Sequence, residues 1–373
     1  MTEHNYELLL KGKDDKYRAS IDVFDTLNYE LLFNEVGSYD IKIPHEKSHY
    51  EEIEQFGAVE IVRDSIVVYT GLIQNINRRW NENENSITLS GGDSNYWLAT
   101  RLALPVPLGA GNYSTAEHDV RTGACETIMK QYVDYNMGIN SHSLRKITGV
   151  TVDPDMGSGI YLTGRARFQN LLTFLQELAI QGGDIGFEMN ARLFTVYLPS
   201  DKTSYIIFSK EFGNLEEFEY NYKSPMFNYV ICGGGGEGTA RVFSEHGDSQ
   251  SILDYLRIES FRDRRDTSDS AEMYATIEEE LTNNKEQFSL SFIPSETTNI
   301  RFYDDYFLGD KIRCVVDGAN YDAVIRSASF NVDRNNGESL KIGIGTPAFS
   351  GGALTMTMLN NVLQRRLRNL ERR

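Results

Sequence analysis

Apolar and polar residues alternate over short stretches through much of the chain, which is the period expected of half-buried β-strands. Residues 19–43 contain two such stretches, ASIDVF and YDIKI. Residues 58–91 predict a meander, with AVEIV, VVYTGLIQNI and SITLSG as strands and DS and NENEN as turns. Strands and helices do not alternate regularly, so a parallel nucleotide-binding sheet is not expected. The pattern predicts a mainly β protein.

Three stretches with apolar residues at helical spacing predict α+β insertions. Residues 114–137 open with Ser114 and Glu117, which fit a capping box. Residues 167–181 carry one broad apolar face and are followed by two glycines, which favour a helix end. Residues 268–286 give the third candidate helix.

Two distant segments of the chain are similar. Tyr69 begins YTGLI, which is followed by NENEN and ends at Gly91, while Tyr321 begins YDAVI, which is followed by DRNNGE and ends at Gly343. The two segments are equally long. Two interpretations stay open: the chain holds two related β-barrels, or two unrelated hairpins look alike. Closed barrels have no exposed strand edges, which suits a protein that stacks against others.

The end of the chain predicts an amphipathic helix. Apolar residues recur there at intervals of three and four, and arginines flank them. The apolar stripe consists of Met356, Leu359, Leu363, Leu367 and Leu370. A short isolated helix is marginal in water. It therefore packs either on its own domain or on copies of itself around a symmetry axis, and we favour the second as an oligomer helix.

Composition narrows the possible functions. The 373 residues carry a net charge of −17, which disfavours general nucleic-acid binding. No apolar run approaches the ~20 residues of a membrane span, so no stable membrane association is expected. The N-terminus does not resemble a signal peptide, which predicts synthesis in a cytosol. Cys125, Cys232 and Cys314 are few and far apart, and we expect buried small hydrophobes.

A run of glycines matches the G-x-G-x-x-G pattern of dinucleotide-binding turns. It comprises Gly233, Gly234, Gly235, Gly236 and Gly238. The pattern needs a helix directly after the turn, but the residues that follow, TARVF, favour a strand. Thr239 also stands where a Walker loop requires lysine. We therefore predict a strand crossover and no cofactor.

Residues 45–49 match the zinc-binding pattern H-E-x-x-H. On a helix, His45 and His49 would be candidate metal ligands and Glu46 a general base. Pro44 directly precedes the motif, and Lys47 adds a cation beside the proposed metal. We expect a solvated short helix between strands and no metal, with a zinc peptidase kept as an alternative. The sequence nominates no other catalytic residues.

Several blocks together resemble the siphophage (long-tailed bacteriophage) tail-hub or baseplate-hub family, which is related to the N-terminal structural domain of tail-associated lysins. The early block is SYDIKIP followed by GLIQNINRRWNENENSITLSGGDSNYWLATRLALP. The central block includes RFQNLLTFLQELAIQGGDIGFEM and FSKEFGNLEEFEYNYKSPMFNYVICGGGG. The closing block runs from LGDKIRCVVDG to SLKIGIGTP. The similarity spans roughly residues 20–347.

The resemblance implies a non-enzymatic structural protein of the virion at the distal tail tip. Such hubs are homotrimers whose two tube-type barrels per subunit match the sixfold tail tube and surround the DNA channel. The implied partners are a distal tail ring protein, a tape-measure protein and a downstream fibre or receptor-binding protein, with phage DNA passing through unbound. A carbohydrate-binding tail adhesin is a further alternative, suggested by the 21 tyrosines.

The expected fold is mainly β with α+β insertions: two tube-type antiparallel β-barrel domains, small helical lobes and a C-terminal helix. The predicted domains are a first barrel at 1–105, an α+β lobe at 106–204, a second barrel at 205–262 and 287–350, a helical insertion at 263–286 and the amphipathic helix at 351–373.

Overall fold

A computed structural model describes residues 4–109, 111–295, 300–333 and 337–345 of the chain. Strands account for 45% of the residues and helices for 18%, and the strands form several antiparallel sheets. The prediction of a mainly β protein with helical insertions is therefore confirmed.

The elements are numbered in chain order. The strands are β1 Tyr6–Lys11, β2 Tyr17–Ile21, β3 Thr26–Leu32, β4 Ser38–Pro44, β5 Ala58–Arg63, β6 Ile66–Leu72, β7 Asn75–Trp80, β8 Asn85–Gly92, β9 Leu102–Ala103, β10 Asp119–Ala124, β11 Thr151–Val152, β12 Tyr161–Ala166, β13 Gln169–Asn170, β14 Gly186–Asn190, β15 Leu193–Tyr197, β16 Ile207–Ser209, β17 Leu215–Lys223, β18 Tyr229–Gly233, β19 Phe243–Gly247, β20 Glu259–Asp263, β21 Gln287–Pro294, β22 Lys311–Val316, β23 Ala319–Asp333 and β24 Gly337–Gly345. The helices are α1 Tyr96–Ala99, α2 Cys125–Met137, α3 Leu171–Gln181, α4 Ser249–Tyr255 and α5 Ser270–Asn284. None of these described helices has the length and apolar character needed to cross a membrane.

The described chain divides into two compact units. The first comprises the described parts of 1–218 and 292–344, and the second comprises 219–291 with Gly345. The predicted domains at 1–105, 106–204, 205–262 with 287–350, 263–286 and 351–373 stay a prediction.

The first unit contains a four-stranded antiparallel sheet in the order β2-β1-β5-β6. Its second strand, β1, alternates buried and half-buried residues, with Tyr6, Leu8 and Leu10 buried. Successive side chains of a strand point to opposite faces, so this alternation places one face on the core.

A ten-stranded sheet connects the early and late parts of the chain. Its main path is β17-β21-β24-β23-β3-β4-β8-β7, with β22 attached to β23 and β16 to β22. The connection is the antiparallel pairing of β23 with β3, from Ser327 opposite Leu32 to Asp333 opposite Thr26. Strands assigned to two separate barrels in the sequence therefore share one sheet.

The two similar segments, each taken together with the strand before it, have matching strand arrangements. In the first, β5 pairs with β6 and β7 pairs with β8; in the second, β22 pairs with the start of β23 and β24 with its end. In the first segment, the chain passes from the four-stranded sheet to the ten-stranded sheet at Ile73, just after β6. In the second segment, β23 has a register shift that begins at Ile325. Both isoleucines end the similar motifs YTGLI and YDAVI. The similarity thus extends to strand pairing and to the place of the irregularity.

The stretch VVYTGLIQNI was predicted as one strand, and this is wrong. It forms β6 and β7, which belong to different sheets. The reason lies in two consecutive backbone N–H groups. The N–H of Ile73 donates to the carbonyl of Gly57, whereas the N–H of Gln74 donates to the carbonyl of Ser90. Because neighbouring residues bond to different sheets, the strand is interrupted between them.

A helical lobe of the first unit packs α2 and α3 around one apolar core. The predicted helix at 114–137 begins later, because Asp119–Ala124 forms β10 and pairs with β12. The predicted helix at 167–181 begins at Leu171, where the Asn170 side chain accepts a hydrogen bond from the Thr173 N–H. It ends at Gln181, directly before the two glycines, as predicted.

Two buried asparagines hold β14 of this lobe. Asn34 donates to the carbonyl of Ile185 at 2.9 Å and accepts from the N–H of Phe187 at 2.8 Å. Asn95 accepts from the N–H of Met189 at 2.7 Å. The side-chain amides thereby satisfy backbone groups along this strand, which would otherwise be costly to bury.

The second unit has a three-stranded sheet in the order β19-β18-β20, with α5 on one face. Its small core contains Val230, Cys232, Met273, Ile277 and Leu281. The third helix prediction, at 268–286, is therefore confirmed by α5 Ser270–Asn284.

Candidate functional site

The glycine run begins at Gly233, the last residue of β18, and continues into the loop before β19, and the two strands pair as an antiparallel hairpin. The loop is closely packed: a Cβ at Gly234 would lie 2.7 Å from the Met273 sulfur, and Gly236 has a φ of +99°. The Arg241 guanidinium donates to the carbonyls of Gly233 and Gly234 and also pairs with Asp263. The glycines thus allow close packing and an unusual backbone conformation.

A short 3-10 turn, Gly238–Ala240, and then strand β19 follow this loop. A pyrophosphate site of the dinucleotide type needs a helix N-terminus at that place, because its N–H groups and dipole bind the phosphates. The loop therefore lacks the element on which that chemistry depends.

The H-E-x-x-H motif does not lie on one helix. His45 starts a three-residue 3-10 turn, and His49 has a left-handed backbone with φ of 50° before a second turn at Tyr50–Glu52. The zinc arrangement needs both imidazoles one turn apart on a single helix face, so the structure contradicts that arrangement. Within residues 4–109, 111–295, 300–333 and 337–345, no group of three or more His, Cys, Asp or Glu side chains could hold a metal ion.

The cysteines agree with their predicted role as buried hydrophobes. Cys125, Cys232 and Cys314 are all buried and free of disulfide bonds. Burial raises the pKa of the Cys125 thiol to about 11 and that of Cys314 to about 12. Both thiols are therefore protonated and poorly reactive at neutral pH.

Of the tyrosines that suggested carbohydrate binding, six are buried in the described chain and seven are exposed, namely Tyr17, Tyr50, Tyr161, Tyr205, Tyr220, Tyr222 and Tyr274. Those buried in the described chain are Tyr6, Tyr29, Tyr39, Tyr69, Tyr132 and Tyr306. A sugar-binding platform needs exposed aromatic faces, so these residues cannot supply one.

The first unit contains a cavity of about 400 Å³ that sequence analysis missed. Asp93 and Glu188 line it, together with Tyr69 and Thr70, whose hydroxyl groups are buried without a hydrogen-bond partner. Such a polar lining suits ordered water. Five further ionisable side chains also line it, namely His4, Arg63, Asp64, Arg301 and Asp304.

Asp93 is the most strongly perturbed acid in this cavity. Burial raises its pKa to about 7, and the nearby Glu188 acts in the same direction. The backbone N–H groups of Gly37 and Asn95 donate to its two oxygens at 3.0 and 2.9 Å and oppose the rise. The only sequence signal for Asp93 is the motif GGD at the end of β8. The other residues that line the cavity come from distant segments of the chain.

The predicted oligomer helix, Met356, Leu359, Leu363, Leu367 and Leu370, lies outside the described residues. It stays a prediction.

The fold resembles that of phage tail proteins of known structure. The 43 kDa tail protein of prophage MuSo2 from Shewanella oneidensis has a TM-score of 0.59 at 13% identity, covering 92% of this chain and 98% of that one. The tail protein from Neisseria meningitidis MC58 has a TM-score of 0.55 at 13% identity, covering 93% and 97%. Prophage tail protein gp18 from Listeria monocytogenes EGD-e has a TM-score of 0.54 at 11% identity, covering 96% and 99%. The chain therefore has the fold of a phage tail protein.

The family model described as Siphovirus ReqiPepy6 Gp37-like protein matches residues 10–346. The chain belongs to this family. A comparison with curated proteins finds no match. The predicted relationship to siphophage tail proteins is confirmed by this family and by the tail-protein fold.

Proposed function

We propose that this chain is the hub subunit at the distal tip of a siphophage tail. Three copies form a ring that adapts the sixfold tail tube to threefold tip components and surrounds the DNA path. The proposal rests on family membership and on the tail-protein fold.

One observation supports the six-to-three adaptation most directly. Each chain contains two segments with the same strand pairing, β5 to β8 and β22 to β24, and the irregularities at Ile73 and Ile325 correspond. Three copies of a chain with two similar segments present six similar surfaces. Such a ring meets a sixfold tube without a change of symmetry at the contact.

Charge supports a DNA path without DNA binding. Each chain carries a net charge of −17, and a trimer carries three times as much. An acidic wall repels phosphates, so the genome slides without being retained.

The partners follow from this position. A distal tail ring protein contacts the hub above, the tape-measure protein ends within or beside it, and a fibre or receptor-binding protein docks below. The oligomer helix at 351–373, with its flanking arginines, is a candidate for the threefold contact or for the docking of the tip protein.

Electron cryomicroscopy of the assembled tail tip tests the proposal. We expect density for three copies around the channel, directly below the last sixfold ring. Light scattering of the purified chain gives an independent measure, with an expected mass of three times 42.4 kDa. A location away from the tail axis, or six copies around it, would contradict the proposed function.

A further inference from the structure

The ten-stranded sheet ends in two strands that differ in charge. The two ends of its main path are β7 and β17, while β16 ends the branch that passes through β22. Strand β7 pairs with β8 from Asn75 to Trp80 without a register shift, so its outer edge is regular. At the other end, the Ser295 N–H donates to the Asn214 carbonyl next to the start of β17. Neither strand contains proline, which is a common means of blocking a sheet edge.

The charges on the two edges are opposite. Strand β7 carries Arg78 and Arg79 and no acid, and the first half of β17 carries Glu216 and Glu217 and no base. All four residues are exposed.

The hydrogen bonds and the ion pair that Arg78 and Arg79 form within their hairpin do not neutralise the positive charge of the β7 edge. Arg78 donates to Asn85 and to the carbonyls of Arg79 and Ser86, which are all uncharged. Arg79 pairs with Glu84 of the same hairpin at 2.9 Å but is 67% exposed. Exposed pairs of this kind are weak, so Arg79 remains available to a second acidic partner.

We propose that β7 of one copy pairs with β17 of the next copy, so that the sheet continues from subunit to subunit. This inference rests on the proposed trimeric function and specifies its contact. Backbone hydrogen bonds between the edges provide the affinity, while the arginines and glutamates provide register and exclude the pairing of like edges. Because the two edges differ, the contact is head-to-tail, which closes into a ring when the rotation permits.

Trp80 provides a second, independent argument. It ends β7 and is 74% exposed, whereas the other tryptophan of the chain, Trp97, is half-buried. A large apolar side chain at a regular strand edge is typical of a protein contact, and tryptophan is enriched at interface centres. Pairing at the β7 edge would cover it.

Charge reversal tests the proposal. In Arg78→Glu with Arg79→Glu, and separately in Glu216→Arg with Glu217→Arg, we expect the trimer dissociation constant to rise by at least about a hundredfold. Combining all four changes restores opposite charges with the signs exchanged, and we expect the trimer to return. Analytical ultracentrifugation over a concentration series measures this, and circular dichroism verifies that each variant is folded.

A matched control separates local from general charge effects. Arg165→Glu with Arg167→Glu reverses two exposed charges on and next to β12, one of them paired with Glu117, far in sequence from both edges. We expect this variant to form the wild-type trimer. A trimer that survives both edge reversals would overturn the edge pairing, as would a fourfold variant that stays monomeric although folded.

Fluorescence gives a readout that does not depend on charge changes. In a Trp97→Phe background, Trp80 is the sole tryptophan, and under excitation selective for tryptophan its emission should shift to shorter wavelength as the concentration rises through the trimer transition. Unchanged emission across that transition would overturn the pairing while leaving the trimeric hub intact. A wild-type chain that is monomeric at all concentrations and absent as a trimer from the tail tip would instead overturn the proposed function.

Discussion

Arg63 on β5 donates two hydrogen bonds of 2.9 Å to the carboxylate of Glu338 on β24. Tyr6 on β1 donates a third, of 2.5 Å, to the same carboxylate. The Arg63 and Glu338 side chains are only 12% and 10% exposed. This group therefore connects the four-stranded sheet to the ten-stranded sheet within the first unit.

Removing the carboxylate should destabilise the protein strongly. Glu338→Ala removes the carboxylate that a nearly buried guanidinium and a buried tyrosine hydroxyl share, and we expect a loss of about 3 kcal/mol in the free energy of unfolding. The control is Asp322→Ala, because Arg313 and Asp322 form a similar two-bond pair at 2.7 and 2.8 Å that is about one-third exposed. We expect that change to cost less than about 1 kcal/mol. Urea denaturation measures both, and equal losses would contradict the buried role of Glu338.

The cavity acid Asp93 should make stability pH-dependent. Its native pKa of about 7 exceeds the ordinary value of 3.8, because burial favours the neutral form. Between pH 3.8 and about pH 7 the native state therefore binds more protons at Asp93 than the unfolded state does. The free energy of unfolding falls as the pH rises through this range. The full shift corresponds to an upper bound of about 4 kcal/mol.

Asp93→Asn removes this titration, so the decline in stability from about pH 4 to about pH 7 should become shallower. Denaturation curves across that range test it. Asp201→Asn is the control, because Asp201 is a surface acid whose pKa is lowered by hydrogen bonds from Thr203, so it titrates below the window. A decline in Asp93→Asn parallel to that of the wild type would contradict the role given to Asp93.

The sequence predicted those features that depend on neighbouring residues. Alternation identified most strands of the early meander, NENEN forms the turn between β7 and β8, and two glycines follow α3. The similar segments beginning at Tyr69 and Tyr321 were also detectable, because they share length and apolar pattern. The strand, turn and helix-end signals depend on residues close together in the sequence, and none of the signals requires knowledge of the fold.

The features that sequence analysis missed depend on residues far apart in the chain. Arg63 and Glu338 are separated by 275 positions. Asn34 and Asn95 appear in the sequence as ordinary loop asparagines, yet they complete the backbone bonding of β14. The pairing of β23 with β3 was not predicted either, because alternation defines strands but not their partners.

A buried ion cluster in the helical lobe should be sensitive to loss of its cation. Lys130 is 3% exposed and pairs with Glu126 and, at 2.7 Å, with Asp153. Burial alone raises the pKa of Glu126, but hydrogen bonds from Lys130 and from the N–H groups of Ser158 and Met156 outweigh it and lower the pKa to about 2.

Lys130→Met leaves Glu126 buried without a cation, and we expect a loss of about 3–5 kcal/mol in the free energy of unfolding. Adding Glu126→Gln should recover part of it, because the buried charge is then removed. Lys42→Met is the control, since Lys42 pairs with Glu84 at the surface and should contribute less than about 1 kcal/mol. A double variant no more stable than Lys130→Met would contradict direct coupling.

The glycine loop should be sensitive to substitution according to its packing. At Gly234 a Cβ would lie 2.7 Å from the buried Met273 sulfur and 2.8 Å from the Thr267 carbonyl oxygen, so Gly234→Ala should destabilise the second unit by about 1–3 kcal/mol. At Gly238 a Cβ meets nothing within 4 Å, and only its φ of +54° opposes alanine, at a cost of about 1 kcal/mol. Hydrogen exchange of residues 219–291 measures both losses. Equal protection in the two variants, or stabilisation of the wild type by a dinucleotide, would show that the run is not there for packing.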